Sequence, residues 1–236
     1  MTATENKLTN LLKNEEKPRN LDVFQLQHPF RAISAGKSGS GKTTWILKNI
    51  LLAKNQPFDK IIWCAPKFSL EQAKLQEVKK KLKSKLVLVE GLDKELLQDL
   101  IDKKPKREQW LIVLDDLISK TDDEFISDLF TAGRHKNIST IEILQRIYAG
   151  KSGRTHRLNS DYFLLCDFPD KSEIRSLFRQ IEPKHVDKLL DCYTQSVGRD
   201  QGHGCLIVDQ KWKDPQTGAG LLKYRDNDLD RGWVLN

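Results

Sequence analysis

Cysteine is scarce and scattered. Cys64, Cys166, Cys192 and Cys205 are the four in 236 residues, and no two form a C-x-x-C pair. That spacing speaks against a disulfide framework and a zinc site, and suits reduced thiols in an intracellular setting. Long apolar runs are missing too. No stretch reaches the roughly 18 residues that span a bilayer, and Met1 to Lys17 lacks the apolar core of a secretory signal. The expectation is therefore an intracellular chain with no membrane partner. No internal repeat recurs at a fixed period. Aromatic residues are few, at 8%, and too sparsely mixed with basic ones to suggest single-strand nucleic-acid binding. Trp45, Trp63, Trp110, Trp212 and Trp233 read as packing residues.

What is present fits one folded unit. Apolar residues make up 38% and charged ones 31%, too apolar a mixture for a disordered chain. The length suits a single main core. A net charge of +7 favours polyanionic partners such as nucleic acid. Residues 1–20 are polar and read as a mobile arm, 21–211 as the main domain, and 212–236 as a hairpin or tail outside the core. Within the domain, short apolar runs at 30–34, 60–65, 85–89, 110–114, 140–144, 162–166 and 205–208 predict strands. They alternate with helix-period stretches over 42–54, 69–83, 93–103, 122–133, 171–180 and 184–196. That alternation predicts an α/β fold, a mostly parallel sheet with helices on both faces. Ser69 with Gln72, and Thr121 with Glu124, resemble capping boxes. Pro169 and Pro183 stand just before predicted helices.

One motif carries specific chemistry. Gly36-Lys37-Ser38-Gly39-Ser40-Gly41-Lys42-Thr43 follows a predicted strand and opens a helix, as the G-x-x-x-x-G-K-[ST] phosphate loop requires. Its glycines allow close backbone approach, so that N–H groups and the helix N-terminus face an anion. Lys42 is expected to reach the β- and γ-phosphates of ATP, Thr43 to offer its hydroxyl to Mg²⁺, and Thr44 to complete the nucleotide-binding set. Leu111-Ile112-Val113-Leu114 then ends in Asp115 and Asp116. Asp115 is the expected metal carboxylate, and Asp116 the group that polarises water. Gln145 ends the next strand and is placed to orient water in NTPases that carry an extra strand between the two motif strands.

The run Lys79-Lys80-Lys81-Leu82-Lys83-Ser84-Lys85 reads chiefly as a solvated helix face. A loop over 146–157 is the better candidate to meet DNA phosphates, through Lys151, Arg154 and Arg157. His203 and Cys205 are too isolated for a metal site. Arg134, Arg146 and Arg154 all follow the acidic motif near the sensor strand, where a neighbouring subunit's nucleotide is expected. Each is a candidate arginine finger.

Taken with the phosphate loop and Leu114-Asp115-Asp116, three further stretches resemble the genome-packaging ATPases of the FtsK/HerA superfamily, above all those of poxvirus-like viruses, virophages and Polinton-type elements. They are Leu129-Phe130-Thr131-Ala132-Gly133-Arg134-His135-Lys136-Asn137-Ile138, Leu144-Gln145, and Arg154-Thr155-His156-Arg157-Leu158-Asn159-Ser160-Asp161-Tyr162. The likeness spans about residues 30–210, and it makes Arg134 the first choice of arginine finger, because Gly133-Arg134-His135 lies in a stretch that it marks. It implies a RecA-like ASCE fold and a homo-oligomeric ring, a pentamer or hexamer, that hydrolyses ATP to drive double-stranded DNA into a capsid, docked on capsid vertex proteins in the infected cell. Two positions depart from the pattern: Asp116 stands where many members carry glutamate, and Arg146 where viral relatives often have asparagine. The residues alone also suit a helicase-like or segregation motor, or a DNA-independent nucleotide kinase or switch.

Overall fold

The computed structural model describes residues 26–117, 124–148, 153–198, 203–213, 220–226 and 229–234. The arm over 1–20, Thr121 and Lys151 lie outside the described residues. The chain runs β1 (Arg31–Ala35), α1 (Lys42–Ile46, continued by a π-type turn over Leu47–Leu51), β2 (Lys60–Ala65), α2 (Lys67–Leu70), α3 (Ala73–Leu82), β3 (Leu86–Glu90), α4 (Lys94–Asp102) and β4 (Trp110–Asp115). It continues with α5 (Glu124–Ala132), β5 (Ile138–Leu144), α6 (Gly153–Asn159), β6 (Tyr162–Leu165), α7 (Lys171–Ile181), α8 (Val186–Val197), β7 (Leu206–Lys213), β8 (Gly220–Asp226) and β9 (Leu229–Val234).

All nine strands among the described residues join one sheet in the order β3-β2-β4-β5-β1-β6-β7-β8-β9. The pairs from β3 to β6 are parallel, and those from β6 outward are antiparallel. The stretch expected as a hairpin outside the core supplies β8 and β9, hydrogen-bonded into this sheet.

Parallel strands are buried on both faces, which is why Leu111 to Leu114 is an unbroken apolar run. Alternate residues divide between two cores. Ile112 and Leu114 join Leu97, Leu129, Phe130 and Phe178 on one face. Leu111 and Val113 join Ile46, Leu47, Leu75 and Val78 on the other. Helices thus cover both sides, as the sequence pattern implies.

Three local expectations need correction. Ser69 does not cap a helix; it lies inside α2, and Gln72 precedes α3 without a side-chain cap bond. The helix expected to 54 ends at Leu51 in its π-type turn. The loop expected over 146–157 contains α6, which carries almost no apolar periodicity: its fully buried residue is His156, whereas Leu158 is 72% exposed. A helix that buries an imidazole and exposes its leucine hides from a hydrophobic pattern.

Candidate active site

The carboxyl ends of β4, β5 and β1 lie side by side, so three sequence-distant segments converge on one cleft of about 520 Å³. The phosphate loop forms its floor. The Gly36 N–H donates to the Leu144 carbonyl at 3.2 Å and the Lys37 N–H to the Asp167 carbonyl at 2.8 Å, suspending the loop between the tips of β5 and β6. Gly39 and Gly41 hold φ of 75° and 90°, which a side chain would strain. At Gly36 the demand is close approach, since a Cβ there would lie 3.0 Å from Cys166 Cβ and 2.8 Å from Ser40 Oγ.

Lys42 is 8% exposed, and its ammonium donates to the carbonyls of Gly36 at 2.7 Å and Lys37 at 2.8 Å. Burial lowers its pKa, while Cys166, Asp115 and Asp116 act the other way. Lys37 itself pairs with Asp167 at 2.5 Å.

Across the cleft, β4 presents Asp115 on the same face as Leu111 and Val113, the face covered by α1. Asp115 is 6% exposed, and its pKa rises to about 6, first by desolvation and then by the charge of Asp116. The Trp63 indole and Lys42 oppose the rise; the Trp63 N–H does so without closing a hydrogen bond of ordinary geometry. Asp116 follows the strand at φ 54°, a left-handed conformation that aspartate tolerates. Its N–H donates to the Ile143 carbonyl at 3.2 Å, and both of its carboxylate oxygens accept from Gln145 Nε2 at 3.1 Å. The polar group expected at the end of β5 therefore touches the acid expected to handle water.

Thr43, Thr44, Ser38, Gly39 and Gly41 line the same cleft. Thr43 and Asp115 face it together, and a hard cation matches their oxygens and relieves the charge of two adjacent carboxylates.

The candidate arginines divide. Arg146 leaves the carboxyl end of β5, with its Nε on Glu173 at 2.9 Å. Arg154 is exposed in the first turn of α6. Arg134 lies on a turn, Gly133–Lys136, that leads into the amino end of β5, roughly 20 Å along the strand from Gln145. Only a neighbour packed against that edge could receive it. Arg157 is half-buried, donates to the Ile147 carbonyl at 2.9 Å and stacks over Tyr148 at 4.2 Å.

Sequence reasoning passed over several cleft residues. Lys74 of α3 reaches Thr44 Oγ1 at 3.2 Å, and Phe68 stands 66% exposed at the rim. His203, Gly204 and Cys205 form a wall beside Gly41. A Cβ on Gly204 would lie 1.9 Å from the Ser196 carbonyl oxygen, so the glycine just before β7 was the available signal.

A phosphate loop after β1, an acidic tip on β4 and a polar tip on the strand between them define a P-loop NTPase of the RecA-like ASCE kind. The family described as Poxvirus A32 protein matches residues 22–193, and the chain belongs to that family. No curated protein gives a match. Among solved structures, the fold is similar to the genome packaging NTPase B204 from Sulfolobus turreted icosahedral virus 2. In complex with sulfate, B204 gives a TM-score of 0.59 at 15% identity, covering 86% of this chain and 99% of that one. In complex with ATP-gammaS it gives 0.57 at 14%, covering 86% and 100%. At such identity the likeness shows the fold. Among the described residues no helix is long and apolar enough to cross a membrane.

Proposed function

We propose that this chain binds ATP with Mg²⁺ in the cleft, hydrolyses it, and uses the turnover to drive double-stranded DNA into a viral capsid. The observation that carries the catalytic part is the contact of Gln145 with both oxygens of Asp116, opposite a phosphate loop whose lysine is already turned inward. In this reading Lys42 and the loop N–H groups hold the phosphates, while Thr43 and Asp115 hold Mg²⁺. Asp116, oriented by Gln145, accepts the proton of the attacking water. Bound Mg²⁺ supplies charge neutralisation at the transferring phosphoryl group.

The DNA part is supported by the net charge of +7, by the exposed Arg154 in the first turn of α6, and by the similarity to a genome packaging NTPase. The motor is a homo-oligomeric ring of five or six subunits, seated on capsid vertex proteins inside the infected cell. A neighbour's arginine completes each nucleotide site. Arg146 and Arg154 stand at the carboxyl edge of their own sheet, and Arg134 is the candidate at the opposite edge. Phosphate release measured with and without duplex DNA, beside the oligomer's mass, tests the proposal. Turnover that ignores duplex DNA would remove the motor; no turnover at all would remove the enzyme.

A further inference from the structure

Glu142 presents a puzzle that the nucleotide site does not absorb. It sits in the middle of β5, paired in register with Leu114 on one side and Ile33 on the other, and is 3% exposed. It shares its face with Ile138 and Leu144, which belong to the core under α5 and α6. An apolar side chain would serve packing better there, because a buried carboxylate is costly unless it is closely partnered.

Its partner is His156 of α6, wholly buried, with Nδ1 at 2.9 Å from Glu142 Oε2. The other ring nitrogen, Nε2, lies 3.2 Å from Ser127 Oγ of α5. The ring is stacked on Phe130, also of α5, at 4.7 Å and 13°. Ser160 Oγ closes the end of α6 by donating to the His156 carbonyl at 2.8 Å. With the Nδ1 proton directed at Glu142, Nε2 is left to accept from the Ser127 hydroxyl.

One imidazole thus touches the strand that leads to Gln145 and the helix that follows Asp116. Glu142 lies three residues before Gln145 on the same strand, and α5 is the helix that follows Asp116. The helix carrying His156 also carries Arg154. We infer that His156 is a positioning residue that ties the sensor strand and α5 to α6, so that the state of the nucleotide cleft sets the pose of Arg154 toward DNA. The inference rests on the function proposed above and names the element that connects its two halves. Polar contacts with discrete alternatives suit such a role, since an imidazole held by two directional bonds passes on a shift of either partner.

The test uses the full chain. Turnover is measured with and without a duplex of random sequence, and duplex affinity is measured with AMPPCP and with ADP. His156→Ala is expected to leave basal kcat and the KM for ATP unchanged. The DNA-stimulated to basal ratio should fall by roughly 2- to 30-fold, and the nucleotide dependence of duplex affinity should shrink with it. Glu142→Gln preserves an acceptor for Nδ1 and should retain the ratio, a rescue that a purely steric account does not require. If His156→Ala does not fold, the double variant Glu142→Leu with His156→Phe, apolar on both sides, supplies the folded protein, with the same loss expected. A folded variant with the wild-type ratio overturns the inference alone and leaves a static staple. A wild-type protein that duplex DNA does not stimulate overturns both the inference and the motor reading.

Discussion

Replacing Asp115 with asparagine probes the electrostatic cost built into the cleft. Desolvation and the neighbouring Asp116 raise the Asp115 pKa from 3.8 to about 6. The folded state therefore holds a proton more tightly than the unfolded chain, and wild-type stability falls as pH rises from about 4 to about 6. Above that window the ionised carboxylate costs about 3 kcal/mol, at 1.36 kcal/mol for each unit of pH. Asparagine removes the charge but needs partners for its amide, so a net gain of about 1–3 kcal/mol is expected at pH 8. For a chain of this size that corresponds to a rise in Tm of roughly 2–12 °C. The assay is urea unfolding of both proteins in EDTA, without nucleotide, at pH 8, 6 and 4. The gain should be full at pH 8 and fall to a small remainder near pH 4, where the folded wild type is protonated and its unfolded chain about half so. Adding Mg²⁺ and ATP should reverse the order, because the wild type gains ligand-linked stability that the variant lacks. An asparagine variant that is less stable at pH 8, or a difference indifferent to pH, would refute the reasoning.

Four further outcomes are expected. Lys42→Ala should abolish both ATP binding and turnover, whereas Asp116→Asn should bind ATP and lose ~10²- to 10⁴-fold in kcat; normal turnover by Asp116→Asn would remove its assigned role. Arg154→Ala should weaken duplex binding and reduce the salt slope by about 0.9, while Arg157→Ala, losing its contacts with Tyr148 and Ile147, should show mainly as lower Tm. Gly36→Ala must move Ser40 or Cys166, at 2.8 and 3.0 Å from the new Cβ, and is expected to raise the KM for ATP at a stability cost of about 1–3 kcal/mol; an unchanged KM would show that the loop yields freely. Arg146→Ala, Arg154→Ala and Arg134→Ala, each mixed with Lys42→Ala subunits, identify a finger worth ~10³- to 10⁵-fold in rate by the pair whose activity returns on mixing.

Much of this architecture was legible because parallel strands announce themselves. β2 falls where its apolar run predicts, over Lys60–Ala65, and β4 extends the expected run by one residue to include Asp115. The phosphate loop, the two acids and Gln145 stand out in the sequence by their spacing relative to strands, and the fold brings them to one cleft. Contacts made across the chain were not legible. Nothing local announces that Glu142 faces His156 or that Gln145 reaches Asp116, since strand order decides which tips become neighbours. α6 escaped because its buried face is polar, and Lys74 escaped because an exposed lysine on α3 has no periodic signature. Arg134 shows a related limit: proximity to β5 in sequence does not say which end of a strand a residue meets.

The inward turn of Lys42 has a consequence for selectivity among anions. Its ammonium already holds two carbonyl acceptors, so an arriving phosphate group replaces existing bonds rather than filling an unmet need. The net return from that exchange is small for any single anion. A lone phosphate or sulfate can meet the loop N–H groups and the lysine, but it does not reach the acidic wall opposite. A triphosphate carrying Mg²⁺, held as proposed above, would grip at two places, the lysine and the metal carboxylate, and its second contact would form at high effective concentration. A loop that already holds its own lysine thus favours, by chelation, a ligand long enough to bridge both walls of the cleft over one that meets the loop alone.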